Sequence, residues 1–349
     1  MSSIAEISRE AGLARSTVAD ILRDRPGYNL DTCDRVKRIA REMGYRPSWL
    51  SKALRGGKSM TIGLLGCLLE DISAMSKAKS IESAALAEGY QVYFVNTNQE
   101  TLGDSSFHVQ HLRDLLDRKI DGLIIDYVGV APPQEVLSMV EEQTIPSVYM
   151  DWAPPGRSNC VAVNRISGIQ EAVNHLSALQ HQRVAIITTE WAVRSPNAKM
   201  VTYRQCLEAA GIEVLMGSDW THRQNAQGIE FDTCRVVRRQ LARGGRLPTA
   251  MILFDDLAAV GAMRGVFDAG LRVPEDISVL GFNDLGIAQV SRPALTTVHQ
   301  PRAEVGQAAC EMLFNLMQGK AESVESIEFG CKLVARESTG PAAVRHGIG

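Results

Sequence analysis

The chain has 349 residues, 45% of them hydrophobic and 22% charged, enough apolar material for two or three cores and too much for a disordered chain. Net charge is −3 but uneven: residues 1–58 hold 12 Lys+Arg against 7 Asp+Glu (+5) and the rest 25 against 33 (−8), which predicts a polyanionic partner for a basic head. MSSIAEISRE contains no apolar signal core, no apolar run reaches spanning length, and seven scattered cysteines form no C-x-x-C pair, so a secreted, membrane-spanning or disulfide-framed protein is excluded in favour of a cytoplasmic one.

Three helices are predicted in the head. Ser3 and Glu6 have capping-box spacing, which starts a helix at Ile4 that buries Ile4, Ile7 and Ala11 and stops at Gly12. A second helix runs from Arg15 to about Arg23, with Val18, Ile21 and Leu22 inward and Arg15, Ser16, Ala19, Asp20 and Arg23 outward. Asn29 caps the third, whose inner stripe is Val36, Ile39, Ala40 and Met43 and which Gly44 closes. Two short helices about a glycine turn make a helix-turn-helix, in which the start of the second helix reaches base edges in the major groove. A solvated face on a protein-binding module is the alternative at this point.

RPSWLSKALRGGK follows, over residues 46–58. Pro47 blocks a helix from entering, Ser48 can cap a short one, and Gly56-Gly57 ends it. About two turns are too few to be stable alone in water, so this segment orders only on an outside partner or is a plain linker.

The run from Ile4 to Gly12, LARSTVADIL, and VKRIAREMGYRPSWLSKALRGGKSMTIGLL together resemble the lactose/purine repressor (LacI) family. That resemblance implies an operator-binding transcription regulator, a repressor and a homodimer, gated by a small-molecule effector. It implies base contacts from Arg15, Ser16 and Asp20, a DNA face that extends to Thr17, Arg23, Asn29 and Lys52, and a Leu54 wedge in the minor groove. Three departures matter. Ala14 replaces a serine cap, at about 1 kcal/mol of helix stability. Asp20 stands where a basic or aromatic residue is frequent, and can accept from cytosine N4. Ser48 and Ser51 replace an asparagine and an alanine.

In the body, apolar runs alternate with helical patterns: TIGLLG, VYFVN, GLIID and SVYMD, then after APPGRSN a second series, CVAV, RVAIIT, EVLM, AMILF and SVLGF. Such runs between helices predict two doubly wound parallel-sheet lobes with ligand sites at the strand C-terminal ends.

GLRVPEDISVLGFND, RPALTTVHQP and LVARESTG resemble the family's sensor, which has the periplasmic-binding-protein fold. The resemblance implies a helix-turn-helix domain over 1–46, a hinge over 47–58, an effector-binding domain over 59–340 and a tail over 341–349. Within the sensor, lobe one takes about 59–162 and 292–322 and lobe two about 163–291 and 323–340, with crossings near Val163, Ser291 and Ser323. The helix over 303–317 falls to the first lobe and the final strands to the second.

The resemblance further implies effector contacts from Asp71, Ser73, Trp152, Arg194, Ser195, Lys199, Trp220, Asp255 and Asn283. Flat apolar faces with convergent polar groups suit a sugar or sugar derivative, with a nucleobase as runner-up. The pattern departs at Ala74-Met75-Ser76-Lys77, where the family has N-P-[FY]-F. Lys199 stands for its clamping arginine and Asn283 for its hydroxyl-binding aspartate, so the family's ligands do not carry over.

No cofactor or catalytic motif is present. Gly57-Lys58-Ser59 fails as a P-loop because Lys52 stands where its first glycine belongs. G-x-S-x-G, H-E-x-x-H and G-x-G-x-x-G are absent. His108 and His111 share a helical face, expected to be solvated rather than metal-binding. A carrier or sensor acting without DNA is the alternative function.

Overall fold

The computed structural model describes residues 3–22, 25–45, 58–67, 72–96, 105–127, 131–156, 158–189, 198–222, 228–320 and 325–343. Contacts group the chain into two compact units, one of residues 1–61 with 117–121, the other of 62–116 with 122–349.

In the first unit, α1 (Ile4–Ala11), α2 (Arg15–Ile21) and α3 (Leu30–Glu42) enclose Ile7, Val18, Ile21 and Val36, each essentially inaccessible to solvent. Ser3 and Glu6 form the predicted reciprocal capping box. Gly12 takes φ 65° at the C-cap of α1, a conformation most side chains disfavour, and so turns the chain into α2. The Ser8 hydroxyl donates to Leu13 O at 2.5 Å and ties that turn.

The second unit holds two parallel sheets. The first series comprises β1 (Thr61–Cys67), α4 (Ile72–Ala87), β2 (Gln91–Asn96), α5 (Ser105–Asp117), β3 (Gly122–Asp126), α6 (Gln134–Glu142), β4 (Ser147–Met150) and β5 (Cys160–Asn164). The second comprises α7 (Arg165–Ala178), β6 (Arg183–Thr189), α8 (Ala198–Ala209), β7 (Glu213–Leu215), β8 (Thr221–His222), α9 (Ile229–Ala242), β9 (Ala250–Leu253), α10 (Asp256–Asp268), β10 (Ser278–Asn283), α11 (Gly286–Val290) and β11 (Thr296–His299). There follow α12 (Arg302–Met317), β12 (Ile327–Gly330) and β13 (Lys332–Val334). Every residue of β3, β4, β9 and β10 is buried, the expected state of strands covered on both faces.

Strand order is β12-β5-β4-β3-β1-β2 in the first sheet and β13-β11-β10-β9-β6-β7 in the second, with β8 beside β6. This corrects two of the expected crossings. β11 pairs with β10 (Leu280 with Thr296), so the chain stays in the second lobe past Ser291 and returns only between His299 and Arg302. β12 pairs with β5 (Ile327 with Val161), so it belongs to the first lobe, and the third crossing lies between Gly330 and Lys332 rather than near Ser323. Of the final strands only β13 lies in the second sheet, antiparallel to β11. The first crossing, between Asn164 and Arg165, falls beside the expected Val163.

Candidate nucleic-acid interface and effector site

At the start of α2, Arg15 and Ser16 are exposed and Thr17 is half-buried. Ala14 supplies no side-chain cap, leaving the first-turn N–H groups of α2 without one. Ala19 is not outward: it is 9% exposed and sits with Val18 and Ile21 in the interior. Packing of three short helices widens the buried stripe of α2 by one position. Asp20 is turned toward its own unit, its carboxylate 3.2 Å from Arg25 Nη1 and accepting from the Tyr28 hydroxyl at 3.2 Å. It braces the loop before α3. The Asn29 amide oxygen accepts from Asp31 N at 2.9 Å and caps α3. Arg23, Lys52 and Leu54 lie outside the described residues, as does the segment 46–57.

In the body, the C-terminal ends of the first sheet carry a charged chain that sequence reasoning did not single out. Lys77, on α4, is 5% exposed and places Nζ 2.7 Å from Asp126 at the end of β3 and 3.3 Å from Asp151 after β4. Asp151 in turn receives Arg165 Nη2 at 3.0 Å and Nη1 at 3.4 Å, and accepts from Val163 N at 3.0 Å. Burial would raise the Asp151 pKa, but the Lys77 and Arg165 cations overcome it and hold the carboxyl at about 2. Burial likewise works against the Lys77 ammonium, and Asp126 and Asp151 prevail, raising its pKa. Trp152 follows directly, half-buried, its ring centroid 6.2 Å from that of Tyr149.

At the corresponding ends of the second sheet, Lys199 Nζ donates to Phe254 O at 2.9 Å and lies 4.9 Å and 4.3 Å from the ring centroids of Phe254 and Phe282. Asp255 caps α10 by accepting from Leu257 N and also accepts from Asn283 Nδ2 at 2.9 Å. Asn283 is 5% exposed with φ 114°; its side-chain oxygen accepts from Gln300 Nε2 at 2.6 Å and its carbonyl from Arg302. Asp256 lies beneath, accepting from Thr297 Oγ1 at 2.5 Å and Leu285 N at 2.6 Å. Burial pushes its carboxyl up to about 7 against those two hydrogen bonds. A Cβ at Gly281 would come within 2.3 Å of Asp256 Oδ1, so only glycine fits there.

Lys199, Asp255 and Asn283 are therefore brought together. Trp220 is half-buried and packs against the second-lobe core. Asp71, Arg194 and Ser195 lie outside the described residues, and of Ser73 only the backbone, in α4, is described. Cys331, at the third crossing, joins the two sets. Burial pushes its thiol up to about 11, within electrostatic reach of Arg165, Asp151, Arg302 and Lys199. Missed by the sequence reading were Lys77, Asp126, Asp151, Arg165, Gln300 and Arg302. The one signal for the carboxylates was their position at or just after the ends of GLIID and SVYM.

His108 overturns the expected solvated face. It is fully buried, with Nδ1 2.9 Å from the Tyr127 hydroxyl, while His111 Nδ1 lies 2.8 Å from Phe107 O. Among the described residues no cluster of three His, Cys, Asp or Glu side chains could hold a metal ion, six cysteines are free, and no helix is long and apolar enough to cross a membrane.

Residues 173–339 match the periplasmic binding protein-like domain. The chain is 28% identical over 316 residues to the ribose operon repressor of Escherichia coli (strain K12), covering 90% of this chain and 93% of that one. It is 26% identical over 340 residues to the HTH-type transcriptional repressor PurR of Vibrio vulnificus, covering 97% and 98%. The crystal structure of the lac repressor dimer bound to operator and the anti-inducer ONPF superposes with a TM-score of 0.80 at 24% identity, over 97% of this chain and 99% of that one. The fold is that of the lac repressor, a helical head with a two-lobed sensor of periplasmic-binding-protein type, and the relatives are transcriptional repressors. The chain is thus similar over nearly its whole length to repressors of the LacI/purine-repressor type.

Proposed function

We propose that the protein is a cytoplasmic, homodimeric repressor that binds operator DNA through the start of α2, with Arg15, Ser16 and Thr17 at the bases. Arg23, Asn29, Lys52 and the Leu54 wedge complete that face, and Asp20 acts chiefly by positioning the loop before α3. DNA binding is switched by a small molecule at the strand ends of the sensor, a sugar or sugar derivative. The observation that carries the reading is the convergence of Lys199, Asp255 and Asn283 beside Phe254 and Phe282, a set of polar groups next to flat apolar faces. The relatives' roles in ribose and purine repression support it. Asp71, Ser73, Trp152, Arg194, Ser195 and Trp220 complete the proposed effector set. Only a ligand with different affinities for two lobe arrangements can shift DNA binding.

The test is a fluorescence titration of the full chain with a panel of sugars that includes D-ribose, run alongside operator binding. Lys199→Ala and Asp255→Ala should each weaken the responding sugar about tenfold or more, roughly the loss of one charged hydrogen bond, and leave sugar-free operator affinity unchanged. If both variants respond as the wild type does, the effector site lies elsewhere.

A further inference from the structure

The chain Asp126–Lys77–Asp151–Arg165 has a property that the convergent residues lack: its two ends belong to different lobes. Lys77 sits on α4 and Asp126 and Asp151 at the ends of β3 and β4, all in the first lobe. Arg165 is the first residue of α7, which packs on α8, β11 and β13 of the second lobe and to a lesser extent on β12 of the first. One peptide bond before it, Asn164 ends β5 of the first sheet. The guanidinium thus reaches back across the first crossing to grip Asp151 through both nitrogens.

The other two crossings are tied by hydrogen bonds in which at least one partner is neutral. Cys331 N donates to Asn164 O at 3.0 Å and Ser167 Oγ to Cys331 O at 2.8 Å; Gln300 and Arg302 hold the side chain and carbonyl of Asn283. At the first crossing both partners are formally charged. Asp151, its side chain wholly buried, depends on Arg165 and Lys77 together for its ionisation. Swinging α7 away from β4 removes one of those two cations from a buried carboxylate, which is strongly unfavourable. A fork-to-carboxylate pair is also more demanding in direction than a single point charge.

We propose that this ion chain is a latch across the first crossing that holds the two lobes in one mutual arrangement, with Arg165 as its moving jaw. Lys77, which shares Asp151 Oδ2 with Arg165, keeps the carboxylate in place when the jaw releases. This goes beyond the regulatory reading and rests on it only in the final arm of the test. Arg165 is itself a positioning residue, 28% exposed at its side chain, so a substitution there leaves no buried cavity.

The experiment is pulsed electron–electron resonance on the full chain, with spin labels carried by unnatural amino acids at exposed Glu135 of the first lobe and exposed Glu275 of the second, and with labelled protein diluted into excess unlabelled protein so that a dimer carries one labelled copy. Wild type should give one narrow distance population. Arg165→Met should add a second population or broaden the first to at least twice its width, and Arg165→Lys should restore most of the narrow one. A distribution for Arg165→Met that superposes on wild type overturns the latch. Should the Met variant fail to fold, Arg165→Gln takes its place, read by the same criterion. Operator affinity of the same variant should change at least fivefold. An altered distance distribution with unchanged operator affinity would uphold the latch and remove its link to DNA binding.

Discussion

The head and the sensor are each stabilised internally, by opposite kinds of polar contact. In the head the side-chain caps at helix starts join residues two or three apart, Ser3 with Glu6 and Asn29 with Asp31, and are exposed. In the sensor the decisive contacts join Lys77 to Asp151, 74 positions apart, and Asn283 to Asp255, 28 apart, with Lys77, Asn283 and the Asp151 side chain buried. Exposed local bonds are each worth about 1 kcal/mol, whereas a buried charge stripped of its partner costs several. The head is therefore a set of small, separable increments on which a DNA face can be retuned position by position. The strand ends of the sensor work as a unit: altering one member changes what the others must do.

The largest test of that contrast is Lys77→Met. It removes one cation from two buried carboxylates and should lower the stability of the sensor by about 3–5 kcal/mol, read from the urea midpoint of the full chain. A loss no larger than that of a surface ion pair would erase the distinction between the two regions.

An intermediate effect is expected at the base of the second lobe. His181, 2% exposed, has Nδ1 2.9 Å from Thr249 Oγ1 and Nε2 3.1 Å from Gly340 O. Burial depresses its pKa to about 4. Its folded pKa lies below the ordinary value, so the unfolded chain binds the extra proton first and stability falls as pH drops from about 6.5 toward 4. Asp256, raised to about 7, has the opposite sign: its ionisation in the folded state is resisted, and its contribution improves as pH falls through 7. The two act in opposite directions. His181→Asn should remove the histidine's share, giving about 2 kcal/mol less loss of stability between pH 7.5 and 5 than the wild type shows. Parallel pH profiles for the two proteins would show that His181 does not titrate as its burial implies.

The smallest effect belongs to the head. Ala14→Ser should give α2 the side-chain cap it lacks and stabilise the head by about 1 kcal/mol, seen as slower amide exchange in α2 with the sensor unchanged. Slower exchange in the sensor as well would mean that the two regions do not respond separately.

These differences also explain what could be read from the amino-acid order. The capping residues Ser3, Glu6 and Asn29 sit next to the groups they bond, and TIGLLG, GLIID and AMIL announce fully buried strands by composition alone. The crossings near Ser291 and Ser323 were misplaced because membership of β11 and β12 is decided by which distant strand they pair with: β10 for one, β5 for the other. His108 was set on a solvated face because Tyr127, its partner, lies 19 positions away. Lys77 stood out only as a departure from a familiar pattern. Its carboxylates lie on two other elements, and nothing in their spacing brings them to it.

The central claim is that this chain reads DNA sequence through its head. The direct measurement is anisotropy of the full-length protein on a duplex selected from a random pool, against a scrambled duplex of the same composition, at two salt concentrations. The account predicts an affinity ratio on the order of 10³ or more and a steep fall of both affinities with salt, as phosphate neutralisation by the basic head requires. Equal affinity for the selected and scrambled duplexes would contradict it.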